Sequence, residues 1–108
     1  VVDDDERFRR SVAKALRTKG YRVASARDGS GAIRTVRRQA PDLVLLDTNL
    51  PDTDGLAVLQ EVKSLDPAIP AVMFTGYGSV EGAVDAMRRG AHDYLEKPIR
   101  PSRLLRVV

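Results

Sequence analysis

Two unbroken apolar runs, Leu43-Val44-Leu45-Leu46 and Ala71-Val72-Met73-Phe74, each close on a polar residue, Asp47 and Thr75. Continuous rather than alternating apolarity predicts strands covered on both faces, as in a parallel sheet. Val1-Val2 is a shorter run that passes directly into Asp3. Tyr21 to Ala24 and His92 to Leu95 are further strand candidates, following the helix-stopping Gly20 and Gly90. Helical spacing fills the intervals. Phe8, Val12 and Leu16 recur every fourth residue with Ala15 alongside, and Ala32, Ile33 and Val36 make a second apolar stripe. Leu56, Leu59, Val62 and Leu65 mark a third helix, opened by Asp54 as N-cap and closed before Pro67. Val80, Ala83, Val84 and Met87 mark a fourth, with Ser79 as its cap, and Pro101 suits the first turn of a fifth.

Strand then helix, repeated five times, predicts an α/β domain: a doubly wound parallel sheet with helices on both faces and right-handed crossovers. In such sheets the loops at the carboxyl ends of the strands form the site. Those loops hold Asp3 to Asp5, Asp47 to Asp54, Thr75 to Gly78, and Glu96 to Pro98.

A length of 108 residues fits one domain spanning residues 1–108. The chain lacks a starting Met, and both ends fall inside predicted elements, so the domain is expected to be trimmed at each end. No run approaches the roughly 20 apolar residues of a membrane span, so no membrane association is expected. The absence of cysteine excludes disulfides, thiolate metal sites and a cysteine nucleophile, and suits a cytoplasmic location. The net charge of +3 is unevenly distributed: residues 1–38 carry 11 Lys/Arg against 5 Asp/Glu. A basic surface can attract nucleic acid or an acidic partner. Here the cations recur on the polar sides of predicted helices without interleaved aromatics, as on a solvated helix surface.

The predicted topology gathers Asp3, Asp4 and Asp47 at neighbouring strand ends. Clustered carboxylates repel unless a cation sits among them. A hard divalent ion with oxygen ligands resolves the repulsion, and Mg²⁺ fits best, since it binds through one or two carboxylates plus phosphate oxygens. Lys97 adds a mobile positive charge and Thr75 a hydroxyl, which together describe a pocket for a tetrahedral dianion. A carboxylate beside such a pocket can form an aspartyl-phosphate. Asp is also common at caps and turns, and Asp5, Asp52 and Asp54 are read in that way.

The segments Val1-Val2-Asp3-Asp4-Asp5, Asp42-Leu43-Val44-Leu45-Leu46-Asp47, Pro51-Asp52-Thr53-Asp54-Gly55, Thr75-Gly76 and Tyr94-Leu95-Glu96-Lys97-Pro98 resemble the response-regulator receiver family of bacterial two-component systems. The likeness covers essentially the whole chain, in order. It implies a flavodoxin-like (βα)5 domain with a parallel five-stranded sheet in the order 2-1-3-4-5. It further implies Asp47 as phosphoacceptor, Asp4 as a direct metal ligand, Asp3 acting through metal-bound water, and the backbone carbonyl of Asn49 completing the protein's share. Mn²⁺ is implied as a substitute for Mg²⁺. Thr75 and Lys97 match residues that contact the phosphoryl oxygens. Thr75 and Tyr94 match the switch pair, Tyr94 moving from exposed to buried as two states exchange population. On its own residue type, Tyr94 reads as a half-buried strand aromatic. Pro98 matches a structural proline at the site whose preceding bond is cis in the family, although X-Pro bonds in general favour trans.

The implied partners are a histidine kinase, a second copy in a homodimer on activation, and DNA only through an output domain absent from this chain. Gly76-Tyr77-Gly78-Ser79-Val80-Glu81 resembles receivers of nitrogen-regulatory transcriptional activators. Such a domain is not a conventional enzyme, although it promotes its own phosphorylation and dephosphorylation.

Competing chemistries fit less well. Asp47-Thr48-Asn49 begins like a calcium-binding loop, but Pro51 and Asp52 stand where an Asp/Asn and the sharp-turn Gly are needed. A Mg²⁺-dependent aspartyl-phosphate phosphatase of the haloacid-dehalogenase type needs a second carboxylate at position 49, where the residue is Asn49. Neither G-x-G-x-x-G nor a P-loop is present. The remaining alternative is a degenerate receiver-like module serving only as a protein-binding surface. His92 has no partner for a zinc site or a triad and reads as structural or solvated.

Overall fold

The computed structural model describes residues 1–76, 78 and 80–108. Along these residues run α1 (Glu6–Thr18), α2 (Gly29–Gln39), β1 (Val44–Asp47), α3 (Gly55–Leu65), β2 (Ala71–Thr75), α4 (Val80–Arg88), β3 (Asp93–Glu96) and α5 (Pro101–Val107). Aspartates open three of the helices as the sequence predicts for Asp5 and Asp54: Asp5 accepts from the backbone of Arg7 and Phe8, Asp28 from Gly31, and Asp54 from Leu56. The predicted cap at Ser79 lies outside the described residues. Gly20 and Gly90 take φ of 91° and 99°, the left-handed geometry that ends the helices before them.

The sheet corrects the sequence expectation. Among the described residues it has three parallel strands in the order β1-β2-β3, not five in the order 2-1-3-4-5. Val2 makes only isolated parallel bridges, to Ala26 on one side and Leu46 on the other. A ladder needs consecutive bridged pairs, as in a typical strand of about five residues, and a single bridge on each side does not make one. Val2 N donates to Leu45 O at 2.7 Å, Asp47 N to Val2 O at 2.9 Å, and Asp3 N to Ala26 O at 3.1 Å. Tyr21 to Ala24 forms no ladder, and the pairing falls at Ala26 instead.

Successive strand residues face opposite sides of the sheet. Leu45, Val72, Phe74 and Leu95 pack with Val12 and Leu16 of α1 and Leu104 of α5. Val44, Leu46, Ala71 and Met73 pack with α2, α3 and Ala86 of α4. Helices therefore cover both faces, as the continuous apolar runs predict. Arg7, Arg10, Lys14 and Arg17 are all exposed, so the basic surplus of α1 lies in solvent.

A concavity of about 610 Å³ is bordered by Tyr21, Val23, Val36 and Leu43, at the opposite end of β1 from Asp47. At its edge the Val1 ammonium donates to Ala24 O at 2.9 Å.

Candidate functional site

Asp47 is the last residue of β1 and lies opposite Phe74, so Thr75 ends β2 one step beyond it. Lys97 follows β3, and its backbone N–H donates to Thr75 O at 2.7 Å. The two bridges of Val2 bring Asp3 and Asp4 to the same end. Three predicted carboxylates thus converge: Asp3, Asp4 and Asp47 each place a carboxylate oxygen within 4.8 Å of the others.

Asp3, Asp47 and Thr75 are buried, whereas Asp4 is exposed. Both oxygens of Asp3 are engaged: Oδ1 accepts from Asp5 N at 2.9 Å and Oδ2 from Lys97 Nζ at 2.5 Å. The same ammonium lies 3.6 Å from Asp47 Oδ2. Asn49 N donates to Asp47 Oδ1 at 3.3 Å. Burial raises the pKa of the Asp47 carboxyl, and the charge of Asp3 adds to the rise against the pull of Lys97. One ammonium among three carboxylates leaves an excess of negative charge, and oxygen donors of this kind suit a hard divalent cation. The cluster is therefore capable of holding one.

Asn49 is exposed and pairs with Asp54 across an antiparallel bridge in the loop after β1. Tyr94 lies opposite Met73 in β3, partly buried against the cluster that includes Leu46 and Ala86. The Lys97-Pro98 peptide bond is cis.

Two residues have roles that local pattern does not reveal. A Cβ on Gly55 would stand 2.1 Å from Asp47 O and 2.7 Å from Thr48 Cα, so the start of α3 passes directly against the backbone of the site. Gly55 N donates to Thr48 O at 2.8 Å across that approach. Asp52 is more than a turn residue: it accepts from Gly29 N at 2.8 Å and Ser30 N at 3.0 Å, which ties the loop after β1 to the N-terminus of α2. These backbone donors hold its carboxyl below the usual carboxylate range. Twenty-three residues separate Asp52 from Gly29, so no short window of sequence contains the pair.

Comparison with known proteins identifies the family. The family model of the response regulator receiver domain matches residues 1–108, and the chain belongs to that family. Receiver domains accept phosphoryl transfer and regulate an associated output module. The chain is 48% identical over 99 residues to the transcriptional regulatory protein ZraR of Escherichia coli, an alignment covering 92% of this chain and 22% of that protein. Its fold matches the receiver domain of NtrX from Brucella abortus with a TM-score of 0.92 at 42% identity, covering 98% of this chain and 90% of the other. A response regulator from Burkholderia pseudomallei, solved with a phosphorylated aspartic acid, a calcium ion and citrate, matches with a TM-score of 0.92 at 29% identity, covering 98% of this chain and 62% of that one. This chain spans about a fifth of the length of the ZraR protein.

Proposed function

We propose that Asp47 accepts the phosphoryl group, delivered from the phosphohistidine of a partner kinase. The supporting observation is the convergence of three carboxylates, Asp3, Asp4 and Asp47, two of which face Lys97: its Nζ is bonded to Asp3 and lies 3.6 Å from Asp47. An oxygen of Asp47 attacks phosphorus, the phosphorus–nitrogen bond breaks, and the departing imidazole takes a proton. Lys97 and Thr75 contact the phosphoryl oxygens, so charge that develops on them meets a fixed cation and a hydroxyl.

A Mg²⁺ ion, or Mn²⁺ in its place, would be held by Asp47, by exposed Asp4 directly, by Asp3 through water, and by the carbonyl of Asn49. When bound, it supplies charge neutralisation at the phosphoryl oxygens. Thr75 and Tyr94 transmit the modification by favouring one of two surface arrangements. The kinship with ZraR and NtrX points to a transcriptional output module, with DNA bound only there, and to a cytoplasmic location.

Incubation with phosphoramidate and Mg²⁺, followed by intact mass measurement, tests this reading. The wild type gains one phosphoryl mass, and the gain is lost with a chelator or in Asp47→Asn. Absence of any gain under conditions that load a control receiver contradicts the acceptor role.

A further inference from the structure

Lys97 Nζ lies 4.3 Å from the centroid of the Phe8 ring, on the side chain's approach to Asp3 and Asp47. We infer that Phe8 is a positioning residue for phosphoryl transfer, its aromatic face holding the Lys97 ammonium over the Asp47 carboxylate. This rests on the reading of Asp47 as the acceptor.

An ammonium has three donors and no acceptor. Asp3 and Asp47 face two sides of it, and the ring faces another. A ring face attracts a cation through its quadrupole, most strongly where water is excluded. It offers no competing acceptor, so the donors remain available to the carboxylates and to an incoming phosphoryl oxygen. An aliphatic side chain in the same place would fill space without that attraction.

The ring is itself fixed from two directions. The N-cap Asp5 accepts from Phe8 N at 3.3 Å, which anchors the residue in the first turn of α1, immediately after Asp3 and Asp4. Its ring meets Phe74 edge to face, with centroids 5.5 Å apart and planes at 80°. Phe74 is fully buried and lies opposite Asp47 in the sheet. The support beneath Lys97 is thereby referenced to the strand that carries Thr75.

The test compares the wild type with Phe8→Leu, Phe8→Met and Phe8→Tyr. A cavity of about 130 Å³ borders Phe8, Phe74 and Leu104, so the smaller variants are checked first for an intact melting transition. Phosphoramidate loading is followed at saturating Mg²⁺, and the Mg²⁺ midpoint is measured separately. Loading should slow about fivefold in Phe8→Leu and Phe8→Met, recover in Phe8→Tyr, and leave the Mg²⁺ midpoint unchanged. The Lys97 ε-methylene protons should lose an upfield ring shift in the Leu and Met variants and keep it in Tyr.

Wild-type loading rates in Phe8→Leu and Phe8→Met, or no recovery in Phe8→Tyr, would overturn the positioning role while leaving Asp47 as acceptor. A Mg²⁺ midpoint that moves in parallel with loading would overturn it in favour of general disruption. Failure of the wild type to load removes the acceptor reading and the positioning role together.

Discussion

Replacing Gly55 with alanine sets two effects of opposite sign against each other. In an exposed helix interior Gly→Ala stabilises by roughly 1 kcal/mol, an upper bound for the gain at the first helical position. At this position the new Cβ would stand 2.1 Å from Asp47 O and 3.0 Å from Asp47 C, and these are backbone atoms with no rotamer to yield. Ordinary carbon contacts lie near 3.5 to 4.0 Å, so the start of α3 must move away by about 1 Å or more. Overpacking of this kind costs about 1 to 3 kcal/mol, and straining the 2.8 Å bond from Gly55 N to Thr48 O adds about 1 kcal/mol. The net expectation is a loss of about 1 to 3 kcal/mol, read as a lower urea midpoint with an unchanged slope. For a domain of this size that corresponds to a melting temperature lower by roughly 5 to 20 °C. Phosphoryl loading should fall further than stability explains, because the displaced atoms belong to Asp47 itself. A Gly55→Ala protein as stable as the wild type, or more stable, would refute the close-approach argument.

Two further outcomes follow from titrating groups. Because the folded pKa of Asp47 is raised, the folded protein binds more protons than the unfolded chain just above the usual carboxylate value, and stability falls as pH rises through that window. In metal-free buffer, Asp47→Asn should therefore melt above the wild type at pH 7, with the gap closing toward pH 4 and shrinking when Mg²⁺ is added; a gap independent of pH would count against this origin. Asp52 has the opposite sign: its lowered pKa contributes stability above the usual carboxylate value that is lost as pH falls. Asp52→Ala should lower the melting temperature at neutral pH and converge on the wild type in acid, and equal melting of the two at pH 7 would remove the clamp on α2.

Legibility in the sequence follows the range of the interaction. Asp54 before Leu56 and Asp5 before Phe8 are local caps, visible within four residues, and both occur as read. Leu43 to Leu46 and Ala71 to Phe74 announce buried strands because their apolarity is continuous. The number of strands is less legible, because a ladder needs consecutive bridged pairs, a property of two segments together: Val2 makes single bridges only, and Tyr21 to Ala24 is without a ladder. Asp3, Asp4 and Asp47 could be grouped because strand ends follow from topology, and their oxygens do converge. The bond from Asp52 to Gly29, the approach of Gly55 to Asp47 and the placement of Lys97 over Phe8 depend on three-dimensional proximity that no periodicity encodes.

The most direct test of the central claim locates the phosphoryl group. Loaded protein is reduced with borohydride, which converts an aspartyl-phosphate to homoserine, and then digested and mapped by mass spectrometry. The account predicts homoserine at position 47 alone, dependent on Mg²⁺ during loading. Homoserine at another aspartate, or loading that persists unchanged in Asp47→Asn, would contradict it.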